Sequence, residues 1–493
     1  MGRPVRGLFA LAAAMIVFAG GDWLQFGGDQ MHSNVAIDSQ ITPQNVNQLH
    51  QIWQVHLPNG EHESGQPLYA TGVSTASGVR DLVVANGNHG GLYALDAGTG
   101  QMVWQVPPPT SNGCTEPAGA PCFDQGSAAI DRDTDRIYNY SPFTGTVRQF
   151  DLGTGQEITG GGWPETVSLK PNLDKESSSL TIAKFGKAKY LYVATAGFAD
   201  DVGDYQGHVT TIKLSGWLHH NARRGPHDAR QHVFNALCSD QPVYFVAAPG
   251  SPDCPQTRAG IWARSGVIPD PDTGKVYVTT GNGTFDPANH DWGDSVIALN
   301  PDGTGHANGD PIDSWTPSNQ LTLLAHDRDL ASAEPTLLPP VPGSRFAHLG
   351  LQGGKDGELY FLNLDDLSGQ GGPGHLGGEV PGSPQGVPQG NGGSAGYGQV
   401  LGQPIAWTDP QGRVWVFITT RWDLSTQEGT GGMSGSLVVT DPAGNPHLSP
   451  QWVIHGAGAS DEIGPVTKGG VYFTVVDFGI GAVDATTGRG LWL

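Results

Sequence analysis

The four cysteines are the residues whose type and spacing most directly suggest chemistry. Cys114 lies close to Cys122 in the sequence, and Cys238 lies close to Cys254. Neither pair has the Cys-x-x-Cys spacing or the accompanying histidines of a zinc site. Four cysteines allow three connectivities, and two short loops are the most economical pairing in an oxidising compartment. The cysteines therefore predict two local disulfides rather than a metal centre.

The sequence argues against two further classes of function. It has no His-Glu-x-x-His motif and no serine elbow of the Gly-x-Ser-x-Gly type between a strand and a helix, and its acidic pairs are too frequent to identify a catalytic pair. The 47 acidic residues against 25 basic ones give a formal charge of −22, which repels phosphate backbones and anionic lipid headgroups. Hydrolysis is disfavoured, and nucleic acid is not expected as a partner.

The elements that must position any functional residues are short strands. The sequence contains 74 Gly and 37 Pro, and only 15% of its residues are charged. This composition is typical of many short strands joined by tight turns. The 37% apolar residues are enough for a sizeable core. We therefore expect an all-β protein.

The N-terminus has the pattern of a secretory signal peptide. Two arginines precede an apolar run, Leu8 to Ala19, and small residues follow it. The run is short for a membrane span, and no later stretch qualifies as one. We expect residues 1–21 to be a signal peptide and the mature protein to be secreted or periplasmic, without a membrane span.

A short motif recurs along the chain. The stretch "LDAGTGQMVW" places Trp104 eight residues after Asp96, and "VDATTGRGLW" repeats this spacing from Asp484 to Trp492. A third stretch, "FDLGTGQEIT", keeps the Asp and the Thr-Gly pair and has Thr159 in place of the tryptophan. Each copy follows a strand, a turn and a second strand, so the motif marks an internal repeat.

The repeat predicts a β-propeller. Looser copies bring it to about seven units with a period of about 40 to 70 residues. A closed ring packs every four-stranded blade against two neighbours. We expect Asp96 and Thr99 to cap a turn, Gly100 to supply its backbone conformation and Trp104 to pack between blades. The stretch "HQIWQVHL", residues 50–57, is a candidate closing strand, and the sequence leaves seven and eight blades open.

A single domain accounts for the rest of the chain. We expect the propeller to extend over residues 22–493. Its largest interruption, residues 368–398, is rich in Gly and Pro and is expected to be a surface loop rather than a domain boundary.

Several stretches resemble the quinoprotein family, the pyrroloquinoline quinone (PQQ) repeat propellers that include periplasmic alcohol and methanol dehydrogenases. Residues 22–57 resemble the family's first segment, and the similarity continues in order to the C-terminus. The stretches "QPLYATGV", "GIWARSG", "YVTTGNGTFD" and "GGKDGELYFL" are similar to a branch of PQQ-like propellers, many of them without established activity. The resemblance implies one propeller of seven to eight four-stranded blades.

The resemblance also implies roles for individual residues. Asp329 in "HDRDLASAEPTLL" matches the catalytic aspartate that acts as base on an alcohol hydroxyl, and Asn282 in "TTGNG" matches a Ca²⁺ ligand. Lys355 in "QGGKDGELY" matches the basic residue at the quinone oxygens, while Trp262 and Cys122 fall at the cofactor. Without the resemblance, Asn282 is a turn residue, Asp329 a strand cap and Lys355 a charge at a hairpin turn.

The chain departs from the family at two places. Active dehydrogenases carry adjacent cysteines followed by an arginine that pairs with a quinone carboxylate, whereas "PCFDQG" has Cys122 alone and Gln125 in place of the arginine. Loss of that cation removes a charge-assisted contact of about 1.5 to 3 kcal/mol. The calcium-binding glutamate is not matched, and an aspartate of the 200–204 loop is its substitute; we assign Asp201.

Two functions follow as alternatives. The first is an exported oxidoreductase that depends on PQQ and calcium and acts on an alcohol or sugar. The sequence has no Cys-x-x-Cys-His haem motif, so a separate protein or small quinone would accept the electrons. The second is a non-catalytic scaffold that binds a polymer or protein at the propeller face. The retained Asn, Asp and Lys favour the first function, and the altered cofactor contacts favour the second.

Overall fold

A computed structural model describes residues 21–198, 201–215, 230–246, 253–389, 398–421, 431–455, 463–476 and 479–492. Within these ranges the chain forms a β-propeller with seven four-stranded blades, so the all-β fold is confirmed and the blade count is seven. The predicted signal peptide, apart from Gly21, lies outside the described residues. The extent of the domain over 22–493 stays a prediction.

Each blade is built from consecutive strands that follow a short first strand, β1 (Val35–Ala36). Blade 1 contains β2 (Leu68–Thr75), β3 (Gly78–Asn86), β4 (Leu92–Asp96) and β5 (Met102–Val106). Blade 2 contains β6 (Ala129–Asp131), β7 (Arg136–Ser141), β8 (Thr146–Asp151) and β9 (Glu165–Thr166). Blade 3 contains β10 (Lys175–Glu176) and β11 (Thr181–Phe185), which both pair with β12 (Ala188–Ala196), followed by β13 (His208–Ser215) and β14 (Gln231–Asn235).

The remaining four blades follow the same antiparallel order. Blade 4 contains β15 (Ile268–Asp270), β16 (Lys275–Thr279), an inserted pair β17 (Phe285–Asp286) and β18 (Asp291–Trp292), then β19 (Val296–Leu299) and β20 (Asp313–Trp315). Blade 5 contains β21 (Thr336–Leu338), β22 (Leu349–Gly353), β23 (Glu358–Asn363) and β24 (Gln385–Gly386). Blade 6 contains β25 (Ile405–Thr408), β26 (Val414–Thr420), β27 (Gly432–Thr440) and β28 (Pro446–His455). Blade 7 contains β29 (Ile463–Thr467), β30 (Val471–Val476), β31 (Gly479–Asp484) and β32 (Gly490–Trp492).

Within the described ranges, helices are few and short. One α-helix, α1, spans Gln320–Ala325, and 3₁₀ turns span Val46–Gln48, Pro287–Asn289 and Leu330–Ser332. In the part of the chain that the structure describes, no helix has the length and apolar character needed to cross a membrane.

The core is a series of layers between neighbouring blades. Side chains alternate along a strand, so each blade presents one apolar face to each neighbour. In blade 2, Ile130 packs against blade 1, whereas the adjacent Ala129 packs with residues of blade 3. Six buried clusters each join two successive blades in this way. Burial of both faces is why the strand sequences read as nearly continuous apolar runs.

The recurring motif is a joint between blades, as the sequence predicts. Asp96 accepts hydrogen bonds from Thr99 and the neighbouring backbone, and Gly100 has a φ of +70°. Trp104 donates from Nε1 to the carbonyl of Leu152, and a Cβ on Gly155 would lie 2.5 Å from the Trp104 ring. The indole of one blade therefore lies on the glycine turn of the next blade. This position requires both a positive φ and no side chain.

The prediction of a closing strand at residues 50–57 is wrong. These residues form no strand, and Ile52 is 65% exposed, because this stretch has no partner strand in the described sheets. Trp53 instead donates to the carbonyl of Ala97 at 2.9 Å and lies on Gly100 of blade 1. The stretch therefore provides a joint tryptophan. Strand β1 provides the additional pairing, running parallel to β29.

Residues 23–36, which we call the axial segment, connect the first strands of several blades. Trp23 exchanges backbone hydrogen bonds with Tyr69 of blade 1. Leu24 O accepts from Ile130 N of blade 2, Gln25 Oε1 from Ile182 N of blade 3 and Asn34 O from Val466 N of blade 7. The blades that lie far apart in sequence are joined by this one segment. A cavity of about 560 Å³ lies between the segment and blades 4 to 7.

The Gly- and Pro-rich stretch at 368–398 is more than a surface loop. Its residues 390–397 lie outside the described residues, but Gln385 and Gly386 form β24, the fourth strand of blade 5. Val380 and Val387 are buried in the cluster between blades 5 and 6. These two apolar side chains fix the stretch to the blade. The loop prediction therefore missed a strand, because only two residues pair.

Both predicted disulfides are present. Cys114 is bonded to Cys122, and Cys238 is bonded to Cys254. The first bond closes a loop between blades 1 and 2, and the second closes a loop between blades 3 and 4.

Candidate functional site

The segments that lead into the blades bring their residues together at one cavity, of about 180 Å³. Four of its lining residues each precede the first strand of their blade by four positions: Gln125, Arg264, Ser332 and Leu401. Trp262, Asp329 and Lys355 complete the lining. Because it is lined from blades 2, 4, 5 and 6, we call it the axial cavity.

A second, wider cavity adjoins the axial cavity. It measures about 670 Å³ and shares Trp262, Asp329 and Lys355 with the first. Its other lining residues are Asp201, Arg258, Asn282, Leu324, Ala325, His326 and Asp327. We call it the outer cavity. A group bound in either cavity contacts the same lysine and aspartate.

Asp329 and Lys355 form the central ion pair. Lys355 Nζ lies 2.6 Å from Asp329 Oδ1 and 3.2 Å from Asp327 Oδ1. Asp329 precedes the 3₁₀ turn Leu330–Ser332, but its side chain does not cap that turn. A Cβ on Gly281 would lie 2.8 Å from Asp329 Oδ2, so the glycine leaves the space that the carboxylate occupies. The loop geometry therefore serves the ion pair and not a cap.

Burial and pairing act in opposite directions on these two groups. Burial raises the pKa of Asp329, and the Lys355 ammonium partly offsets this effect. Burial opposes the charged form of Lys355, but the carboxylates of Asp329 and Asp327 outweigh it and hold the pKa of Lys355 above its ordinary value. The result is a protonated lysine beside a carboxylate whose basicity is increased.

Asn282 and Asp201 lie in the outer cavity. Asn282 Nδ2 donates to Asp327 Oδ1 at 2.6 Å, while its own Oδ1 is buried without a hydrogen-bond partner. Asp201 has a φ of +50° and accepts a hydrogen bond from the hydroxyl of Tyr205. In the described ranges, no group of three or more His, Cys, Asp or Glu residues is arranged to hold a metal ion. An unpaired amide oxygen and a carboxylate are nevertheless the donors that a hard cation prefers.

The structure brings together five of the six residues that the sequence assigns. Asp329, Lys355 and Trp262 line both cavities, and Asn282 and Asp201 line the outer one. The sixth, Cys122, is fully buried in its disulfide beside Phe143 and Phe198 and lines neither cavity.

The residue that the sequence reasoning missed is Arg264. Its Nη1 donates to the carbonyl of Gln125 at 2.5 Å, so the two residues are neighbours in the axial cavity. Arg264 follows Trp262 by two positions in "GIWARSG", and alternate residues of an extended segment share a face. That spacing is the signal that would have found it.

Lys175 lies behind this pair. Its Nζ donates to Gln125 Oε1 at 2.6 Å and lies 4.6 Å from the centre of the Phe123 ring and 5.8 Å from that of Trp262. Burial, together with the charge of Arg264, lowers the pKa of Lys175 to about 7. Two cations, Arg264 and Lys355, and a lysine with a pKa of about 7 therefore lie in or next to the axial cavity.

Comparison with known proteins identifies the relatives of this fold. The family model for the PQQ glucose/ethanol/alcohol dehydrogenase β-propeller domain matches residues 23–196. The dehydrogenase subunit of a quinone alcohol dehydrogenase from Gluconobacter oxydans is 24% identical over 371 residues, which are 70% of this chain and 43% of that protein. A quinohemoprotein alcohol dehydrogenase from Pseudomonas putida is 26% identical over 331 residues, covering 62% of this chain and 42% of that protein. The match therefore spans less than half the length of these relatives.

Solved structures share the fold. A quinohemoprotein alcohol dehydrogenase from Pseudomonas putida superposes with a TM-score of 0.60 at 16% identity, over 96% of this chain and 72% of that one. A europium-containing methanol dehydrogenase superposes with a TM-score of 0.59 at 17% identity, over 96% of this chain and 85% of that one. At such identities the likeness concerns the fold. Over residues 23–196 the chain is therefore similar to the PQQ-dependent dehydrogenase β-propeller domain, and as a whole it shares the propeller fold of quinoprotein alcohol dehydrogenases.

Proposed function

We propose that this protein is an oxidoreductase that binds PQQ in the axial cavity and oxidises an alcohol or sugar. The observation that carries the proposal is the pairing of the buried Asp329 carboxylate with Lys355 at the junction of the two cavities, beside Trp262. A buried carboxylate held against an ammonium is a common arrangement for proton transfer and is costly to maintain without a function.

The residues of the axial cavity suit PQQ, which is planar and carries three carboxylates. Trp262 offers an aromatic surface, and Arg264 and Lys355 offer positive charge. Cys122, which also stood among the expected cofactor contacts, lies behind Phe123 and would contribute only through packing. When bound, the quinone supplies a two-electron acceptor, which no side chain of the site can provide.

Asp329 would accept the proton of the substrate hydroxyl. Its raised pKa brings its basicity closer to neutral pH, which favours general-base catalysis. Lys355 would keep the carboxylate oriented and, as an ammonium, stabilise negative charge that develops beside it. The outer cavity, at about 670 Å³, has room for a small alcohol or sugar next to Asp329.

Calcium would be held by Asn282 and Asp201. Both offer side-chain oxygens in the outer cavity, and the unpaired, buried Oδ1 of Asn282 supports a cation there. Ca²⁺ takes about six to eight oxygen ligands, so these two side chains would be completed by oxygens of a bound ligand and water. The cation would polarise oxygen atoms near Asp329.

The cellular setting belongs to the same proposal. The disulfides and the predicted signal peptide support export to an oxidising compartment, secreted or periplasmic. Electrons would leave through a separate acceptor, a protein or a small quinone.

Reconstituted activity tests the proposal. Full-length protein loaded with PQQ and Ca²⁺ should reduce an artificial dye in the presence of primary alcohols or sugars. Asp329→Asn should retain PQQ binding but lose about 100-fold or more in rate. Asp302→Asn, at an exposed turn that lines neither cavity, should keep the wild-type rate. Tight PQQ binding without turnover of any alcohol or sugar would contradict the enzymatic function and leave a binding scaffold.

A further inference from the structure

The axial cavity carries positive charge in a strongly acidic protein. The whole chain has a formal charge of −22, yet the cavity is lined by two cations, Arg264 and Lys355, and by one carboxylate, Asp329. Lys355 is already paired with Asp329. No carboxylate of the described residues lies within ion-pair distance of Arg264. The buried carboxyl of Asp124 interacts electrostatically with Arg264, but burial raises the pKa of Asp124 well above its ordinary value and so limits how far it offsets the guanidinium. The guanidinium is therefore available to a ligand.

The neighbouring Gln125 is oriented as a second donor. Lys175 Nζ donates to Gln125 Oε1 at 2.6 Å, so the amide oxygen faces the lysine. Nε2 then faces away from Lys175, and no described residue accepts a hydrogen bond from it. The carbonyl of Gln125 accepts from Arg264 Nη1. Lys175 therefore orients the amide of Gln125, and the backbone carbonyl of Gln125 orients the guanidinium of Arg264 beside it.

We propose that Arg264 and the Nε2 group of Gln125 bind a carboxylate of the planar ligand, and that they replace the arginine expected at position 125. This inference rests on the proposed function, because it names the residues that recognise the anionic part of PQQ. Arg264 reaches the cavity from blade 4, whereas the missing arginine would have come from blade 2. A guanidinium and an amide together match the two oxygens of a carboxylate.

The test compares two forms of one ligand. Equilibrium titration of the full chain, followed by tryptophan fluorescence, would measure the Kd of PQQ and of PQQ trimethyl ester, which has no carboxylates. Arg264→Met should raise the Kd of PQQ by about 10- to 100-fold and leave the Kd of the ester unchanged. Arg264→Lys, which keeps the charge but not the fork, should give an intermediate Kd for PQQ.

Two controls separate charge from structure. Arg80→Met removes one positive charge from the exposed Arg80–Asp96 pair of blade 1 and should leave both Kd values unchanged. Thermal denaturation would check that the Arg264 variants are folded. The proposal would be overturned if Arg264→Met bound PQQ as tightly as wild type. It would also be overturned if this variant lost affinity for PQQ and for its ester by the same factor.

Failure of the proposed function gives a different result. If wild type does not bind PQQ, the quinoprotein function fails, and benzene-1,3,5-tricarboxylate becomes the probe of the carboxylate site. Binding of this tricarboxylate by wild type and its loss in Arg264→Met would support the site. The absence of binding by wild type would overturn it.

Discussion

At the scale of single residues, Asp329 shows how a site is made from opposing effects. Burial raises the pKa of this carboxyl group, and the nearby Lys355 ammonium limits the increase. Without burial, Asp329 would be an ordinary surface carboxylate. Without the Lys355 ammonium, it would be a neutral acid. The catalytic hypothesis depends on both, because a general base must be deprotonated and still basic near neutral pH.

His208 provides a pH-dependent prediction. Its ring is buried, with Nε2 2.8 Å from the carbonyl of Val167, and burial lowers its pKa from 6.5 to about 4. The unfolded chain therefore takes up a proton first as the pH falls. The stability contributed by neutral His208 is complete above pH 6.5 and should fall between pH 6.5 and about 4. Wild type should lose up to about 1.4 kcal/mol per pH unit relative to His208→Gln in urea unfolding.

The control for this prediction is a histidine whose pKa is shifted in the opposite direction. The exposed His348 lies 2.7 Å from Asp365, and this hydrogen bond raises the pKa of His348. The stability that His348 contributes is fully present below its pKa in the unfolded chain. It is lost as the pH rises through its higher pKa in the folded protein. The stability difference between wild type and His348→Gln should therefore grow on acidification, while that for His208→Gln shrinks. The same trend in both variants would contradict the assignment.

Residue-level prediction placed residues in the site where the signal is local. The family resemblance of Lys355 rests on a short turn motif, and Lys355 lines both cavities, whereas its role stays a prediction. The pairing of Arg264 with Gln125 spans 139 positions of the chain, and no periodicity links them. The sequence shows that the family's arginine is absent at position 125. The proposed replacement from another blade can be recognised only in the folded ring, where Arg264 lies next to Gln125.

At the scale of elements, the tryptophan joint repeats one geometry with different partners. Trp53 lies on Gly100, Trp104 on Gly155, and Trp452 on Gly488 of blade 7. In each case the indole Nε1 donates to a carbonyl near the same turn. The joint therefore combines a buried aromatic surface with a satisfied polar group.

Two glycines with the same backbone conformation separate the two requirements of the joint. Gly155 has a φ of +69° and its Cβ would meet the Trp104 ring at 2.5 Å, whereas Gly274 has a φ of +70° and open space around it. Gly274→Ala should cost about 1 kcal/mol from backbone strain alone. Gly155→Ala should cost about 1 to 3 kcal/mol more, because the tryptophan must move. Equal losses in urea unfolding would show that the ring contact contributes nothing.

Elements were predictable where they repeat and not where they occur once. The strand, turn and tryptophan pattern predicted the blades. The stretch at 50–57 has the same hydrophobic pattern, but it lacks a partner strand and keeps only its tryptophan contact. The two-residue strand at Gln385–Gly386 was hidden in a Gly- and Pro-rich stretch, because pairing of two residues leaves no periodic signal.

At the scale of the whole molecule, the axial segment links the first blades to the last. It contacts blades 1, 2, 3 and 7 through hydrogen bonds, and β1 pairs with β29. Such links have a large separation in sequence, so their formation requires that most of the ring is already assembled. We expect the segment to make unfolding of the blades cooperative.

Two glutamines of the axial segment test whether the segment stabilises the closed ring. Gln25 Oε1 accepts a hydrogen bond from Ile182 N at 2.7 Å, and Gln25 is buried. Gln30 Oε1 accepts from Lys184 N of the same strand at 3.2 Å, where solvent can replace it. Gln25→Ala should lower the free energy of unfolding by about 1 to 3 kcal/mol, and Gln30→Ala by less than about 0.5 kcal/mol. Chemical denaturation of the two variants would measure the difference. Similar losses would contradict the claim that the buried hydrogen bond of Gln25 stabilises the closed ring.

The central claim is that the axial cavity is a PQQ site, and a crystal structure of the protein soaked with PQQ tests it most directly. We predict planar ligand density in the axial cavity, beside Trp262, with a carboxylate next to Arg264. Density at another place on the propeller, or an unchanged axial cavity in crystals of protein that binds PQQ in solution, would contradict the claim.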